Sequence, residues 1–145
     1  MNLQKDEQNI QHDVIETLLR SLPTSCRNHI IKADGGDLDS MFYVGRSLIE
    51  GANDFPKNCE IGLKYIIQAS DQENVEAMVY YGSLLFKGDI LPKDETKSIE
   101  ILTKACTNYN SARAKFLLAQ IHYSHRTVGP NGFDDSNVDY VLIKN

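Results

Sequence analysis

The stretch LLFKGDILPKDETKSIEIL, Leu84 to Leu102, sets two apolar runs with helical spacing around a short polar insert, Gly88-Asp-Ile-Leu-Pro-Lys-Asp94. Taken alone, the insert has the composition of a phosphate or metal loop, and equally that of a turn between two helices. A second copy decides between them. Gly51-Ala-Asn-Asp-Phe-Pro-Lys-Asn58 has the same form: Gly, a few residues, an apolar residue, Pro-Lys, then Asn or Asp. Pro56 and Pro92 lie 36 residues apart, a period at which stacked helical hairpins repeat. A unique ligand loop has no need of a copy, so the insert is read as punctuation. Gly51 and Gly88 suit the left-handed residue that ends a helix. Pro56 and Pro92 bar its continuation, and Asn58 and Asp94 cap the next one.

The match extends outward in two series. EIGLKYIIQAS (Glu60 to Ser70) aligns with KSIEILTKAC (Lys97 to Cys106), and CRNHIIKA continues the phase upstream, giving an even series of Ala33, Ala69 and Ala105. Before each insert, DSMFYVGRSLIEG (Asp39 to Gly51) aligns with EAMVYYGSLLFKG (Glu76 to Gly88) at an offset of 37. RAKFLLAQIHYSH (Arg113 to His125) follows after another 37. Two series in fixed alternation mean two helices per unit, here A and B. Gly45, Gly82 and Ala119 hold one register position on the A helices. A glycine inside a helix costs about 1 kcal/mol against alanine, so the position predicts close approach of a neighbouring helix.

The periodicity predicts an all-α chain of about eight helices. They are A0 (Glu7 to Leu22), B0 (Thr24 to Ala33), A1 (Asp39 to Glu50), B1 (Asn58 to Ser70), A2 (Asn74 to Lys87), B2 (Asp94 to Cys106), A3 (Ser111 to Ser124) and B3 (Ser136 to Lys144). No strand is expected. Short connections make antiparallel hairpins, and stacked hairpins make an α-solenoid. The chain reads as a single helical-repeat domain, 1–145. Residues 1–33 form an N-terminal capping hairpin, and 34–70, 71–106 and 107–145 are repeat units, the last degenerate. Gly129-Pro-Asn-Gly132 is a strong turn signal. No polar capping helix follows the apolar run Val138 to Ile143. The sequence therefore predicts a fragment of a longer array, or an uncapped C-terminal end that self-associates.

Bulk composition fits. The chain has 145 residues, 41% of them apolar, enough for one core. A net charge of −5 with scattered Lys and Arg argues against a nucleic-acid footprint. The polar N-terminus lacks a signal core, and no apolar run reaches membrane-spanning length, so a cytoplasmic protein without membrane insertion is expected. Cys26, Cys59 and Cys106 are odd in number and far apart, which reads as reduced thiols.

The pattern resembles the Sel-one-like repeat, a relative of the tetratricopeptide repeat. Ala77, Tyr81-Gly82, Leu85, Gly88, Asp94, Lys97, Ile101-Leu102 and Lys104-Ala105-Cys106 fall on that family's unit. Ser40, Val44-Gly45, Leu48, Gly51, Gly62, Tyr65-Ile66 and Gln68-Ala69-Ser70 match in the preceding unit. The likeness covers roughly Cys26 to Ser124. It implies a non-catalytic adaptor or scaffold for protein complexes, with no catalytic residue or cofactor to carry over.

Solenoids of this kind present their A helices along a concave surface. That places the candidate partner-binding residues on Tyr43, Arg46 and Glu50 of A1, Tyr80, Ser83 and Lys87 of A2, and Leu117 and Gln120 of A3, with Ser124 beyond. The tyrosines are the expected anchors for a protein or peptide partner, because exposed tyrosine gives contact area at low entropic cost. The plainer reading is that they pad the next hairpin. Phe42 and Phe116 are assigned to the core.

Other candidates are weighed against simpler roles. His122 and His125 sit at i, i+3, a spacing that can share a metal, and they define the alternative of a metal-binding protein or enzyme. No carboxylate or cysteine motif accompanies them. Asp34-Gly-Gly-Asp37-Leu-Asp39 lacks the ligand alternation and twelfth-position Glu of a calcium loop, and is read as a turn with Asp37 or Asp39 capping A1. Asp134-Asp135-Ser136 suits a helix N-terminus. No phosphate loop or hydrolase motif is present. A further alternative is a regulatory repeat segment of a larger signalling protein.

Overall fold

A computed structural model describes residues 16–17, 20–125, 128–129 and 132–133. Among these, six helices follow one another: α1 (Thr24–Asp34), α2 (Leu38–Glu50), α3 (Cys59–Asp71), α4 (Val75–Lys87), α5 (Glu95–Tyr109) and α6 (Ala112–Ser124). They correspond to B0, A1, B1, A2, B2 and A3. Of A0, residues 16, 17 and 20–22 are described; 16, 17, 20 and 21 are helical and Leu22 is a buried bend, while the rest of A0 and all of B3 lie outside the described residues. The chain divides into two compact units, Met1–Tyr65 and Ile66–Asn145, with the boundary inside α3.

The expected punctuation is realised in backbone geometry. α2 and α4 end on Gly51 (φ 66°) and Gly88 (φ 70°), both left-handed, a conformation that costs an L side chain about 1–2 kcal/mol. Each following helix opens on a side-chain cap. Asn58 Oδ1 accepts from the Ile61 N–H at 3.1 Å, and Asp94 Oδ1 accepts from the Lys97 N–H at 3.0 Å. Asn74 and Ser111 do the same for α4 and α6. Asp37 caps α2, accepting from the Asp39 N–H at 3.2 Å and the Ser40 hydroxyl at 2.9 Å. Such caps satisfy N–H groups that a helix cannot satisfy itself. α5 runs to Tyr109, past the Cys106 expected from sequence, because its terminator is Asn110 in the left-handed region (φ 53°) and not a glycine.

The series of Ala33, Ala69 and Ala105 is fully buried. In unit 1, α1 packs on α2, and the first half of α3 lies close against α2. In unit 2, Met78 and Val79 of α4, Leu102, Ala105 and Cys106 of α5, and Ala114, Leu118 and Ile121 of α6 make one apolar cluster.

Three expectations need correction. Two-residue strands, β1 (Val128–Gly129) and β2 (Gly132–Phe133), pair antiparallel around the predicted Gly129 to Gly132 turn, where no strand was expected. Glycines at both ends of a tight turn let the chain reverse closely enough for the ladder to form. Phe116, assigned to the core, is 62% exposed. The buried side of α6 is set by Ala114, Leu118 and Ile121, and Phe116 lies off that stripe. Ala119 is likewise exposed, so the small-residue position is a close approach at Gly45 and Gly82 but not on α6.

Candidate partner-binding site

The close approaches set how far each A helix can turn its outer face. A Cβ on Gly62 of α3 would lie 2.7 Å from the Gly45 carbonyl oxygen and 2.7 Å from Ile49 Cγ1. A Cβ on Gly82 would lie 2.8 Å from Leu102 Cδ2 and Cγ. Ser98, fully buried, donates its hydroxyl to the Gly82 carbonyl at 2.6 Å. With one side of α2 and of α4 held this tightly, the opposite side carries their candidate residues.

On α2, Tyr43 is 36% exposed. Its ring stands 4.4 Å from the His29 ring of α1 and 6.3 Å, edge-on, from Phe55 of the α2–α3 loop. Stacking on both neighbours fixes the ring while leaving an edge free. One turn further, Arg46 Nε donates to Glu50 Oε1 at 3.1 Å, an exposed i, i+4 pair worth a few tenths of a kcal/mol. Tyr43, Arg46 and Glu50 therefore share a face that is aromatic at one end and zwitterionic at the other.

On α4, Tyr80 is half-buried and Lys87 exposed. The Ser83 hydroxyl donates to the Tyr80 carbonyl at 2.7 Å, so Ser83 is engaged by its own helix. Lys87 sits in the last turn, where a cation complements the helix dipole. On α6, Leu117 is half-buried against the unit 2 core and Gln120 is exposed. Gln120 lies with Phe116, Ala119, Tyr123 and Ser124 along an open hollow of about 390 Å³.

His29 and Phe55 were absent from the sequence reading of this site. They reach Tyr43 from another helix and from a loop, and no spacing rule links them. Phe116 and Tyr123 carry a signal in register: they match Val79 and Phe86 of α4 at the offset of 37.

Several other polar groups tie elements of the fold together. Tyr65 donates its hydroxyl to Asp34 Oδ1 at 2.7 Å, which ties α3 to the end of α1 and commits Asp34 of the acidic loop. Burial raises the Tyr65 pKa well above its ordinary value, and the Asp34 hydrogen bond and charge add to it. Lys104 holds the Glu73 carboxyl below its ordinary range through a 2.9 Å contact that links the α3–α4 turn to α5. The thiol of Cys26 is buried, donates to the Asn53 carbonyl at 3.4 Å, and is pushed up by that burial. His125 contacts the Glu95 carboxylate, while His122 Nε2 is enclosed without a hydrogen-bond partner. Among the described residues, no group of three or more His, Cys, Asp or Glu is placed to hold a metal ion. Asp134, Asp135 and Ser136 lie outside the described residues.

Paired A and B helices, capped and terminated alike at a period of 36 to 37, define a helical-repeat protein of the kind built for protein contacts. The Sel1 repeat model matches residues 38–74 and 75–110, half of the chain, and the chain belongs to that family. Each matched repeat starts at the first residue of an A helix and closes after the following B helix. The crystal structure of a Sel1 repeat protein from Oxalobacter formigenes has a similar fold, with a TM-score of 0.59 and 21% identity over 67% of this chain and 71% of that one. No curated protein matches the chain. Sel1 repeats generally mediate protein interaction and are typically non-catalytic. No helix among the described residues is long and apolar enough to cross a membrane.

Proposed function

We propose that this chain is a non-catalytic adaptor that holds a protein or peptide partner on the outer faces of its A helices, acting in the cytoplasm. The observation that carries the reading is Tyr43. Its ring is held between His29 and Phe55 and still presents a free edge, beside the paired Arg46 and Glu50. A preordered aromatic loses little entropy on contact. A charged pair one turn away suits a partner with an apolar anchor followed by polar groups. Tyr80 and Lys87 offer the same order on α4, aromatic then charged. Gln120 supplies a polar contact on α6, whereas Leu117 and Ser83 support the surface from within.

The test is affinity capture with the intact chain, compared with Tyr43→Ala and Tyr80→Ala chains of verified helicity. A partner retained by the native chain and lost or weakened tenfold or more by the variants supports the reading, since anchor residues carry on the order of 2 kcal/mol. Retention of every partner by the folded variants overturns it.

A further inference from the structure

The loops after α2 and α4 join an A helix to its B helix and close alike. Each ends its A helix on a left-handed glycine, Gly51 or Gly88, with the lysine before the cap, Lys57 or Lys93, against that glycine. Each then brings the cap residue back onto the A helix. The Asn58 N–H donates to the Leu48 carbonyl at 2.7 Å, and the Asp94 N–H to the Leu85 carbonyl at 2.9 Å. The second loop does this with five residues between glycine and cap, and the first uses six. Gly88 is the one left-handed residue of the second loop, whereas in the first Asn53 (φ 56°) and Asp54 (φ 67°) are left-handed as well. That region strains any residue with a side chain, Asn and Asp less than others. The copy joins its helices without the extra residue or the strained pair, so joining helices does not require them.

The strained pair is the centre of a tight turn. The Phe55 N–H donates to the Ala52 carbonyl at 3.0 Å, and two left-handed central residues mark a primed turn. Such turns favour Asn followed by Gly; here Asp54 stands in the second place. The turn is pinned from inside. Asn53 Nδ2 donates to Ser47 Oγ at 2.9 Å, and the buried Cys26 thiol donates to the Asn53 carbonyl at 3.4 Å. Ser47 is 1% exposed, and its counterpart on α4 is Leu84. A buried hydroxyl in the place of a leucine needs a hydrogen-bond partner, and Asn53 supplies one. What the turn adds is Phe55. Its side chain is buried and stands edge-on to the Tyr43 ring, at the register position that half-buried Leu91 holds in the second loop.

We propose that the turn from Ala52 to Phe55 is a positioning device for Tyr43: Asn53 and Asp54 hold a strained backbone that sets Phe55 against the Tyr43 ring and fixes that ring ahead of contact. The role rests on the reading of Tyr43 as a partner anchor. Strained residues persist where their surroundings over-determine them, and they gather at functional sites. Ser47 and Cys26 do the determining here, and an ordered Tyr43 ring is what the strain sustains. A ring fixed before contact loses less freedom on binding than a mobile one. Asn53, Asp54 and Phe55 act through Tyr43, as positioning residues.

The test compares three variants of the full chain. In the first, residues 52–55 are replaced by Asp-Ile-Leu, the sequence of residues 89–91, together with Ser47→Ala so that no buried hydroxyl is left unpaired. The second is Phe55→Leu and the third Asp54→Gly. Tyrosine rings are isotope-labelled for NMR, and the Tyr43 signals are assigned by their absence from a Tyr43→Phe chain. The replaced loop is expected to give a helical chain that still unfolds in one cooperative step, with a more mobile Tyr43 ring whose signals leave their native shifts. Phe55→Leu should loosen the ring in the same way. Asp54→Gly should hold or raise the urea midpoint and leave the Tyr43 signals in place, because glycine accepts the left-handed region without strain. A Tyr43 ring that stays rigid at its native shifts in the replaced or the Phe55→Leu chain overturns the proposal. Loss of cooperative unfolding in the replaced chain assigns the turn to the fold and overturns it too, as does a lowered midpoint for Asp54→Gly. None of these readouts needs a partner, so they can fail while Tyr43 remains an anchor. Conversely, a partner retained by Tyr43→Ala removes the anchor and leaves the ring geometry standing. A partner that depends on Tyr43 should be held several-fold more weakly by the replaced chain; unchanged capture there counts against the positioning role.

Discussion

A methyl group on Gly62 would meet a backbone carbonyl, whereas one on Gly82 would meet a leucine side chain, and the difference sets how each site responds to substitution. Alanine gains about 1 kcal/mol of helix propensity at either position. Overpacking a filled core costs about 1–3 kcal/mol. The Gly45 carbonyl at 2.7 Å belongs to a helix backbone that cannot step aside, while Leu102 has rotamers to use. Both substitutions are expected to destabilise, Gly62→Ala by the larger amount, as read from urea midpoints; a rise in stability for Gly62→Ala would contradict the crossing geometry. At Tyr65 the phenol keeps its proton in the folded chain to a pH above its ordinary value of about 10. A raised folded pKa gives stability that is complete below the unfolded pKa and is lost as pH climbs from there towards the folded one. The native chain should therefore lose stability steeply above about pH 10. Tyr65→Phe should start about 1 kcal/mol lower at neutral pH, having lost the hydrogen bond to Asp34, and decline less with alkali. Parallel pH curves for the two proteins would refute the coupling.

At the scale of the element, the connection between an A helix and its B helix is a stop followed by a start. Gly88 adopts φ 70° and a Cβ there would fall 2.6 Å from Lys93 Cβ; at Gly51 the corresponding distance to Lys57 Cβ is 3.1 Å. Asparagine tolerates the left-handed region, as Asn110 does at the end of α5. Gly51→Asn is thus expected to cost a few tenths to about 1 kcal/mol, and Gly88→Asn clearly more because the neighbouring lysine is closer. Thermal melting of the two variants checks the order. Asp94→Ala, which strips the cap of α5, should cost about 1 kcal/mol. These punctuation residues were fully legible in the sequence because each acts locally: a left-handed backbone, a missing N–H and a cap all operate within a few residues. The end of α5 was misjudged for the same reason. Cys106 closes the repeat pattern, but no glycine stands there, and the helix continues until Asn110 supplies the turn.

For the molecule as a whole, the proposed function rests on which helix faces stay open. Tyr43 contributes to the fold and to the candidate surface at once. Its stack with His29 and Phe55 is worth about 0.5–1.5 kcal/mol, so Tyr43→Ala should lower the melting temperature modestly while weakening partner capture. Tyr43→Phe should keep both the stack and most of the contact area. Loss of capture with Tyr43→Phe would assign the contact to the hydroxyl and not to the ring. The A-helix series Tyr43, Tyr80, Leu117 looked equivalent in sequence, yet the structure gives it three environments: a stacked exposed ring, a half-buried ring and an aliphatic side chain against the core. Register places a residue on a face of its helix. Whether another element covers that face depends on neighbours that register does not specify.

The sequence by itself determined the period, the caps, the glycine terminators of α2 and α4 and the buried alanine series, because each is a local or strictly periodic requirement that a repeated unit writes again in its copies. Only the tertiary structure decided that His29 and Phe55 clasp Tyr43, that Tyr65 reaches Asp34, and that Phe116 stands in the open where its counterpart Val79 is covered. These depend on through-space contacts between residues far apart in the chain, and hydrophobic burial is a property of the pair of surfaces that meet, not of either one alone.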